Sequence, residues 1–313
     1  MAFSLRKSSS GTGPVGLDLD GSYLAAVQAD GQTVSRAVST ELAPGIVSDG
    51  EVGNPAALSE ALKQFFKAHG LSRRVRLGIS NQQVVVRLIE IPLIDDPKDR
   101  ATAIRFQAAE GIPMPLEEAT LDYQVVGDST APDGTTQLRV IVVAAREAMI
   151  AKYLEAVRGA GLKPEGIDLD AFALVRMLAS ADEMGYDGAR VYCHLGGITN
   201  LAIALGTSCL FTRPLSTAWE EDVDHTAAAL AEEIRLSIDY YLDQPEAPRV
   251  ADVLLSGPGS KAEGLADQLS LLMDLPVAVA EPLGRMTVAS LPEGEDPARH
   301  TVAAGLAIGA AGA

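Results

Sequence analysis

Short apolar runs, each ended by a turn, dominate residues 15–81. One amphipathic helix is predicted among them over Asn54–Ala68, because Leu58, Leu62 and Phe65 recur at helical spacing. The other apolar runs are too short for helices and are predicted as strands: 15–20, 23–29, one after the Asp30-Gly31 hairpin signal, and 75–79. The pattern predicts an α/β lobe that begins with a meander of strands.

A different order of elements follows in residues 82–161. Asp96-Pro97 predicts a helix start, with the aspartate as N-cap and the proline in the first turn. Apolar and polar residues alternate around Tyr123, which is typical of a half-buried strand, and residues 127–134 are predicted as a polar loop. The continuous apolar run 138–145 predicts a strand covered on both faces. A further strand is predicted before the first helix, over 83–91, and a second helix after the last strand, around Leu154. The region is therefore predicted as a β-α-β-β-α module.

The second half of the chain begins like the first. Setting Val15 against Val191 aligns the turn Asp20-Gly21-Ser22 with Gly196-Gly197-Ile198, and each half starts with strand, turn and strand. A third glycine turn, residues 256–260, stands between a predicted strand and a helix, where backbone amides can form an anion-binding nest. Matching strand–turn–strand segments at the start of two lobes of similar length indicate a duplicated fold. Ordinary hairpin and strand–helix turns remain the alternative interpretation.

Composition narrows the class of protein. The 313 residues suit two lobes, and the 47% hydrophobic content allows full cores. A net charge of −17 argues against a binder of duplex nucleic acid, which needs basic residues to neutralise phosphates. Cys193 and Cys209 are expected to be core residues of adjacent strands, and no histidine has zinc-site spacing. Residues 1–14 are predicted as a flexible N-terminus, and the lack of a signal segment predicts a cytoplasmic protein.

Several sequence blocks carry a resemblance to a known family. They lie at 87–92 (RLIEIP), 104–118 (IRFQAAEGIPMPLEE), 121–126 (LDYQVV), 142–146 (VVAAR), 161–164 (GLKP), 168–174 (DLDAFAL) and 233–241 (EIRLSIDYY). With the three turns, these blocks resemble PilM, the type IV pilus assembly family of the actin-like ATPase superfamily, from about Val15 to Gly309.

The resemblance implies a two-lobed actin-like (ribonuclease H-like) α/β fold related to FtsA. Subdomain 1A would comprise residues 15–81, completed by 165–188 and a C-terminal helix over 300–313. An inserted 1C (SHS2-type) module would occupy 82–164, and the second lobe would occupy 189–299. Only residues 219–229 are available where the family builds most of subdomain 2B, so the second lobe is expected to be reduced.

The resemblance also implies a function. Family members bind the cytoplasmic N-terminal segment of the membrane protein PilN, in a groove between subdomains 1A and 1C, at the inner face of the cytoplasmic membrane. The pilus assembly ATPase and the platform protein are further expected partners, and homo-oligomers are left open. A type II secretion platform protein, an FtsA-like filament and a small-molecule kinase of the same superfamily are the alternatives.

Members of the family bind ATP or ADP with Mg²⁺ between the lobes. By family match, the positions of that site in this chain are Asp18, Asp20, Gly21, Ser22, His194, Gly196, Gly197, Thr199, Gly257 and Gly259.

Several of these positions depart from the family pattern. Asp20 replaces a glycine and places a negative charge where a phosphate should approach. His194 replaces an aspartate and removes a hard oxygen ligand for Mg²⁺. Pro258 interrupts the paired glycines of the third turn, and Ala25 stands where the family has a basic residue. We therefore predict a degenerate nucleotide site in a non-catalytic scaffold with no bound cofactor; the alternative is an ATPase whose site still functions.

Overall fold

A computed structural model describes residues 13–131, 133–179, 188–219, 222–244, 247–288 and 291–309. Two compact units are distinguished, one of residues 82–151 and a larger one of the described residues before 82 and from 152 onwards. Most of the predicted flexible N-terminus lies outside the described residues, and so does the end of the predicted C-terminal helix, residues 310–313.

The predicted elements occur in the expected order, together with three two-residue strands that the apolar pattern did not indicate. The first stretch forms β1 (Val15–Leu19), β2 (Tyr23–Asp30), β3 (Thr33–Glu41), β4 (Val47–Ser48), β5 (Glu51–Val52), α1 (Pro55–His69) and β6 (Arg74–Ile79). The module follows with β7 (Val84–Pro92), α2 (Pro97–Gly111), β8 (Ala119–Thr130), β9 (Thr136–Arg146) and α3 (Glu147–Gly159). The chain then forms β10 (Lys163–Leu169), α4 (Asp170–Leu178), β11 (Ala189–Leu195), β12 (Thr199–Leu205), β13 (Ser208–Pro214), α5 (Val223–Leu242), β14 (Val250–Ser256), α6 (Leu265–Met273), β15 (Val277–Val279), β16 (Thr287–Val288) and α7 (Thr301–Ile308).

The larger unit contains two large sheets with the same strand order, besides the two-stranded sheet β4-β5. The first is arranged β3-β2-β1-β6-β10, with β16 added beside β3, and the second β13-β12-β11-β14-β15. In each sheet the first strand pairs antiparallel with the second and parallel with the strand that follows the meander. The internal duplication predicted from the turns is therefore confirmed. Cys193 and Cys209 are free and buried, but their strands β11 and β13 both pair with β12 rather than with each other.

The smaller unit holds a three-stranded antiparallel sheet in the order β7-β9-β8. The N-cap prediction for α2 is confirmed, since the Asp96 side chain accepts from the amides of Lys98 and Asp99. The predicted loop over 127–134 is wrong in its first half, because β8 continues to Thr130 and pairs with β9 after a bulge next to Gly127. Backbone pairing with a fully formed partner strand outweighs the polar side chains there. The unit ends at Ala151, whereas the module was predicted to continue to residue 164.

Helix α7 completes the first lobe from the far end of the chain. Val302, Ala303 and Leu306 are buried, as predicted for this apolar helix. Its close packing depends on small residues: a Cβ placed on Gly16 of β1 would lie within 3.0 Å of the α7 backbone, and one on Gly305 would lie equally close to α4. The helix is therefore part of the core of the first lobe.

Residues 215–222 join β13 directly to α5. The described residues of this connection, 215–219 and 222, form no helix or strand, which agrees with the expected reduction of subdomain 2B. Among the helices of the described ranges, none is long and apolar enough to span a membrane.

Candidate functional site

The predicted site residues lie on three turns of the larger unit. The first turn joins β1 to β2, the second joins β11 to β12, and the third follows β14. Gly21 and Gly257 both have φ of +84°, a left-handed conformation that favours glycine. A Cβ on Gly257 would lie within 3.0 Å of the backbone of Leu195, so the third turn lies against the end of β11.

The first and second turns are in direct contact through the Asp20 carboxylate. Its Oδ2 accepts a hydrogen bond of 2.5 Å from the Gly197 amide, and its Oδ1 accepts one of 3.0 Å from the Ile198 amide. Asp20 is only 3% exposed. A side chain of the first lobe therefore occupies the backbone donors that the second turn offers to an anion.

Glycines in the second turn permit this contact. A Cβ on Gly196 would lie within 3.0 Å of the Cγ, Oδ1 and Oδ2 atoms of Asp20. A Cβ on Gly197 would lie equally close to the Asp20 carbonyl oxygen and to the Oγ of Ser22. These two glycines serve close approach rather than an unusual backbone conformation, since neither has a positive φ.

Three buried carboxyl groups surround the first turn. Burial raises the pKa of Asp20 to about 6, although the amide hydrogen bonds from Gly197 and Ile198 act in the opposite direction. Burial also raises the pKa of Asp18 and of Asp170 well above the ordinary value, and the neighbouring acids add to both shifts. Asp18 pairs across the strands with Ala25, so this position offers it no positive charge.

His194 and Thr199 are buried at the second turn. The His194 Nδ1 lies 3.0 Å from the Ser256 Oγ, and burial lowers the pKa of the imidazole to about 4, so the ring is neutral at physiological pH. Within the described residues, the His194 Nε2 and the Thr199 Oγ1 have no hydrogen-bond partner. The neutral ring therefore contributes no negative charge at the second turn.

Trp219 covers the third turn, and sequence reasoning missed its role. A Cβ on Gly259 would lie within 3.0 Å of the Trp219 side chain, so the indole packs directly on the backbone of the turn. Pro258 begins a short 3-10 helix, Pro258–Lys261, and contributes no N–H. The available signal was a single tryptophan, in a chain with 4% aromatic residues, in the segment that replaces subdomain 2B.

A surface cavity of about 470 Å³ lies beside Pro258, between residues of β3 and the segment 293–299. Four of its lining side chains are carboxylates, and its arginine, Arg299, is engaged by Glu41 at 2.6 Å. Arg299 also lies over the Tyr23 ring, 4.9 Å from the centroid. The cavity is therefore negatively charged, which disfavours a nucleotide.

The charge of Asp20 opposes the binding of a phosphate at the second turn. The amides of the second turn already donate to Asp20, whose carboxylate would repel a phosphate at the same place. The nucleotide-site positions thus converge, but their roles in binding remain predictions.

Two lobes with the same strand order around facing turns define the actin-like class. Residues 17–205, more than half of the chain, match the model of the family described as type IV pilus assembly protein PilM. The chain therefore belongs to this family, as its sequence blocks predicted.

Solved structures agree with the fold class and the family. One chain of the PilM–PilN type IV pilus biogenesis complex is 26% identical, with a TM-score of 0.79 over 94% of this chain and 97% of its own. The ethanolamine utilization protein EutJ from Carboxydothermus hydrogenoformans is 11% identical, with a TM-score of 0.53 over 96% of this chain and 90% of its own. MreB 5 of Spiroplasma citri bound to AMPPNP is 10% identical, with a TM-score of 0.51 over 95% of each chain. The last two show the fold alone.

Proposed function

We propose that this protein is a cytoplasmic adaptor of a type IV pilus inner-membrane assembly complex. It would bind the cytoplasmic N-terminal segment of a PilN-like membrane protein and so be held at the inner face of the membrane. The observation that carries the proposal is the similarity, over nearly the whole length of both chains, to a chain of the PilM–PilN complex.

Charge supports such a partner. The protein has a formal net charge of −17, whereas cytoplasmic segments next to membrane-spanning helices carry an excess of lysine and arginine. Opposite net charges favour the encounter and contribute to specificity. The pilus assembly ATPase and the platform protein remain predicted partners without further support.

The smaller unit offers two features that suit a peptide. Its outer strands β7 and β8 can be extended by a further strand, a common mode of peptide binding that uses main-chain hydrogen bonds. Phe106 on α2 is 73% exposed, and Leu93 after β7 is also exposed, so apolar anchors are available on the same unit.

We further propose that the adaptor works without a nucleotide. The reason is the contact between Asp20 and the amides of Gly197 and Ile198, which places a buried carboxylate at the donors a phosphate would need. A scaffold role requires neither a phosphate-binding loop nor a catalytic base. The Asp20 contact is therefore compatible with the proposed function.

Binding of a labelled peptide, measured by fluorescence anisotropy, tests the adaptor role. The probe is the cytoplasmic N-terminal segment of the PilN-like protein from the same organism, and saturable binding is expected. Phe106→Asp should weaken binding at least tenfold, whereas Leu271→Asp, at an 84% exposed position on α6, should not. Absence of binding, or equal binding of a scrambled peptide, would contradict the proposal.

Isothermal titration calorimetry with Mg-ATP tests the nucleotide claim separately. We expect no heat of binding to the full chain. Micromolar affinity for Mg-ATP would overturn the nucleotide-free claim. The adaptor role would still be decided by the peptide experiment.

A further inference from the structure

We infer that the Asp20 carboxylate joins the two lobes from within the chain, in the place where a phosphate group of a bound nucleotide would otherwise do so. The inference deepens the nucleotide-free part of the proposed function and rests on it. We call this contact the Asp20 clasp; it comprises the carboxylate and the amides of Gly197 and Ile198.

The hydrogen bonding of the clasp resembles that of a bound anion. Each carboxylate oxygen accepts from a different, consecutive amide, so the contact is bidentate. Carboxylates and phosphates both bind backbone N–H groups in this way, and a charged acceptor strengthens each bond. The donors come from the β11–β12 turn and the acceptor from the β1–β2 turn, which are 177 residues apart in the chain.

The two glycines of the second turn pack closely against the first turn. The positions of a Cβ on Gly196 and on Gly197 are filled by atoms of Asp20 and Ser22. A second polar contact joins the same lobes nearby, where the Ser80 hydroxyl donates to the Asn200 side-chain oxygen. Trp219 packs on the third turn. The lobes are thus joined by the chain's own side chains.

The clasp explains why several departures from the family pattern occur together. With a carboxylate in the position of the phosphate, an additional carboxylate at position 194 would add repulsion, and the neutral His194 avoids it. At the third turn, the Trp219 side chain packs on Gly259, where the family match expects a nucleotide contact. The replacements are therefore parts of one alternative arrangement rather than independent losses.

Hydrogen exchange of the Gly197 and Ile198 amides tests the clasp in the full-length protein at neutral pH. In Asp20→Ala both amides lose their acceptor, and we expect them to exchange about tenfold faster. Asp20→Asn keeps one acceptor oxygen and should have an intermediate effect, which guards against failure of the alanine variant to fold. Asp30→Ala, at an exposed acid of the next hairpin, is the matched control and should leave both rates unchanged.

Inorganic phosphate provides a second arm of the experiment. In Asp20→Ala, phosphate should restore protection of the two amides and shift the fluorescence of Trp219, the only tryptophan. The unsubstituted protein should show neither effect. Unchanged exchange in both Asp20 variants would overturn the clasp.

The two proposals can fail separately. If Mg-ATP binds the unsubstituted protein and accelerates exchange at Gly197 and Ile198, the nucleotide-free function and the clasp fall together. If Mg-ATP binds without changing these rates, only the nucleotide-free function fails. Loss of peptide binding bears on the adaptor role and leaves the clasp intact.

Discussion

The two lobes of the larger unit share one strand order but differ in the chemistry of the turn after their first strand. In the first lobe this turn carries a side-chain acceptor, Asp20, whereas in the second it offers backbone donors at Gly197 and Ile198. Duplication alone would give the two facing turns the same chemistry. The difference shows that two copies of one hairpin can be complementary when the turn of one carries a charged side chain and the turn of the other offers backbone amides beside a glycine.

Introducing a carboxylate into the second turn should have the largest effect on this complementarity. His194→Asp would bury an unpaired negative charge at the position that corresponds to Asp18, and we expect a loss of about 4 kcal/mol of folding free energy at neutral pH. Urea denaturation measures it. His225→Asp, at an exposed position in the first turn of α5, should change stability by less than about 0.5 kcal/mol. Equal effects of the two changes would contradict the electrostatic explanation.

A methyl group between the two turns should have the next largest effect. Gly197→Ala forces the first turn away from the second, because its Cβ would overlap the Asp20 carbonyl oxygen and Ser22, and we expect a cost of about 2–3 kcal/mol. Gly111→Ala is the control, since its Cβ would meet nothing within 4 Å. Thermal unfolding of the two variants is the measurement, and a tolerated Gly197→Ala would show that the turns can separate freely.

The pH dependence of stability isolates Asp20. Its folded pKa of about 6 exceeds the ordinary value of 3.8, so the folded state binds the proton more tightly, and stability should fall as pH rises from about 4 to about 6. Between pH 4 and pH 6, the free energy of unfolding of the unsubstituted protein should fall by up to about 3 kcal/mol relative to that of Asp20→Asn.

The comparison with Asp20→Asn is needed because other groups titrate nearby. The lowered pKa of His194 acts with the opposite sign, since stability falls as pH falls from 6.5 to about 4, while Asp18 and Asp170 act in the same direction as Asp20. A flat difference between the two proteins would show that Asp20 titrates normally.

Removal of an unsatisfied hydroxyl should have the smallest effect. Thr199→Val replaces a buried Oγ1 that has no partner within the described ranges, and we expect unchanged stability or a gain of up to about 1 kcal/mol. The control is Thr212→Val, which removes a 2.7 Å hydrogen bond to the Leu201 carbonyl and should cost about 1 kcal/mol. The same loss in both variants would indicate that Thr199 has a partner after all.

Local signals allowed most elements to be predicted from the sequence. Asn54 caps α1 by accepting from the Ala57 amide, and Gly70 ends the helix with φ of +58°, both as the residue types indicate. The strands of the two meanders were also found, since each is a short apolar run between turns. Strand β16 was missed because two residues carry no periodic pattern, and only their pairing with β3 defines them.

The site was predictable in its residues but not in its contacts. Repulsion between Asp20 and a phosphate follows from charge alone. That its carboxylate binds the amides of Gly197 and Ile198 depends on how two distant turns face each other, which no local pattern encodes. The packing of Trp219 on Gly259 is likewise a product of tertiary structure.

The position of α7 has a consequence for the order of folding during synthesis. The strands of the second sheet all lie between residues 189 and 279, whereas the first sheet needs β16 and its core needs α7, which are translated afterwards. On the ribosome the second lobe can therefore complete its sheet while the first still exposes the apolar side of β1 and β2. The lobe that begins the chain is the last to be finished, and during that interval its exposed strands are open to chaperones or to misassembly.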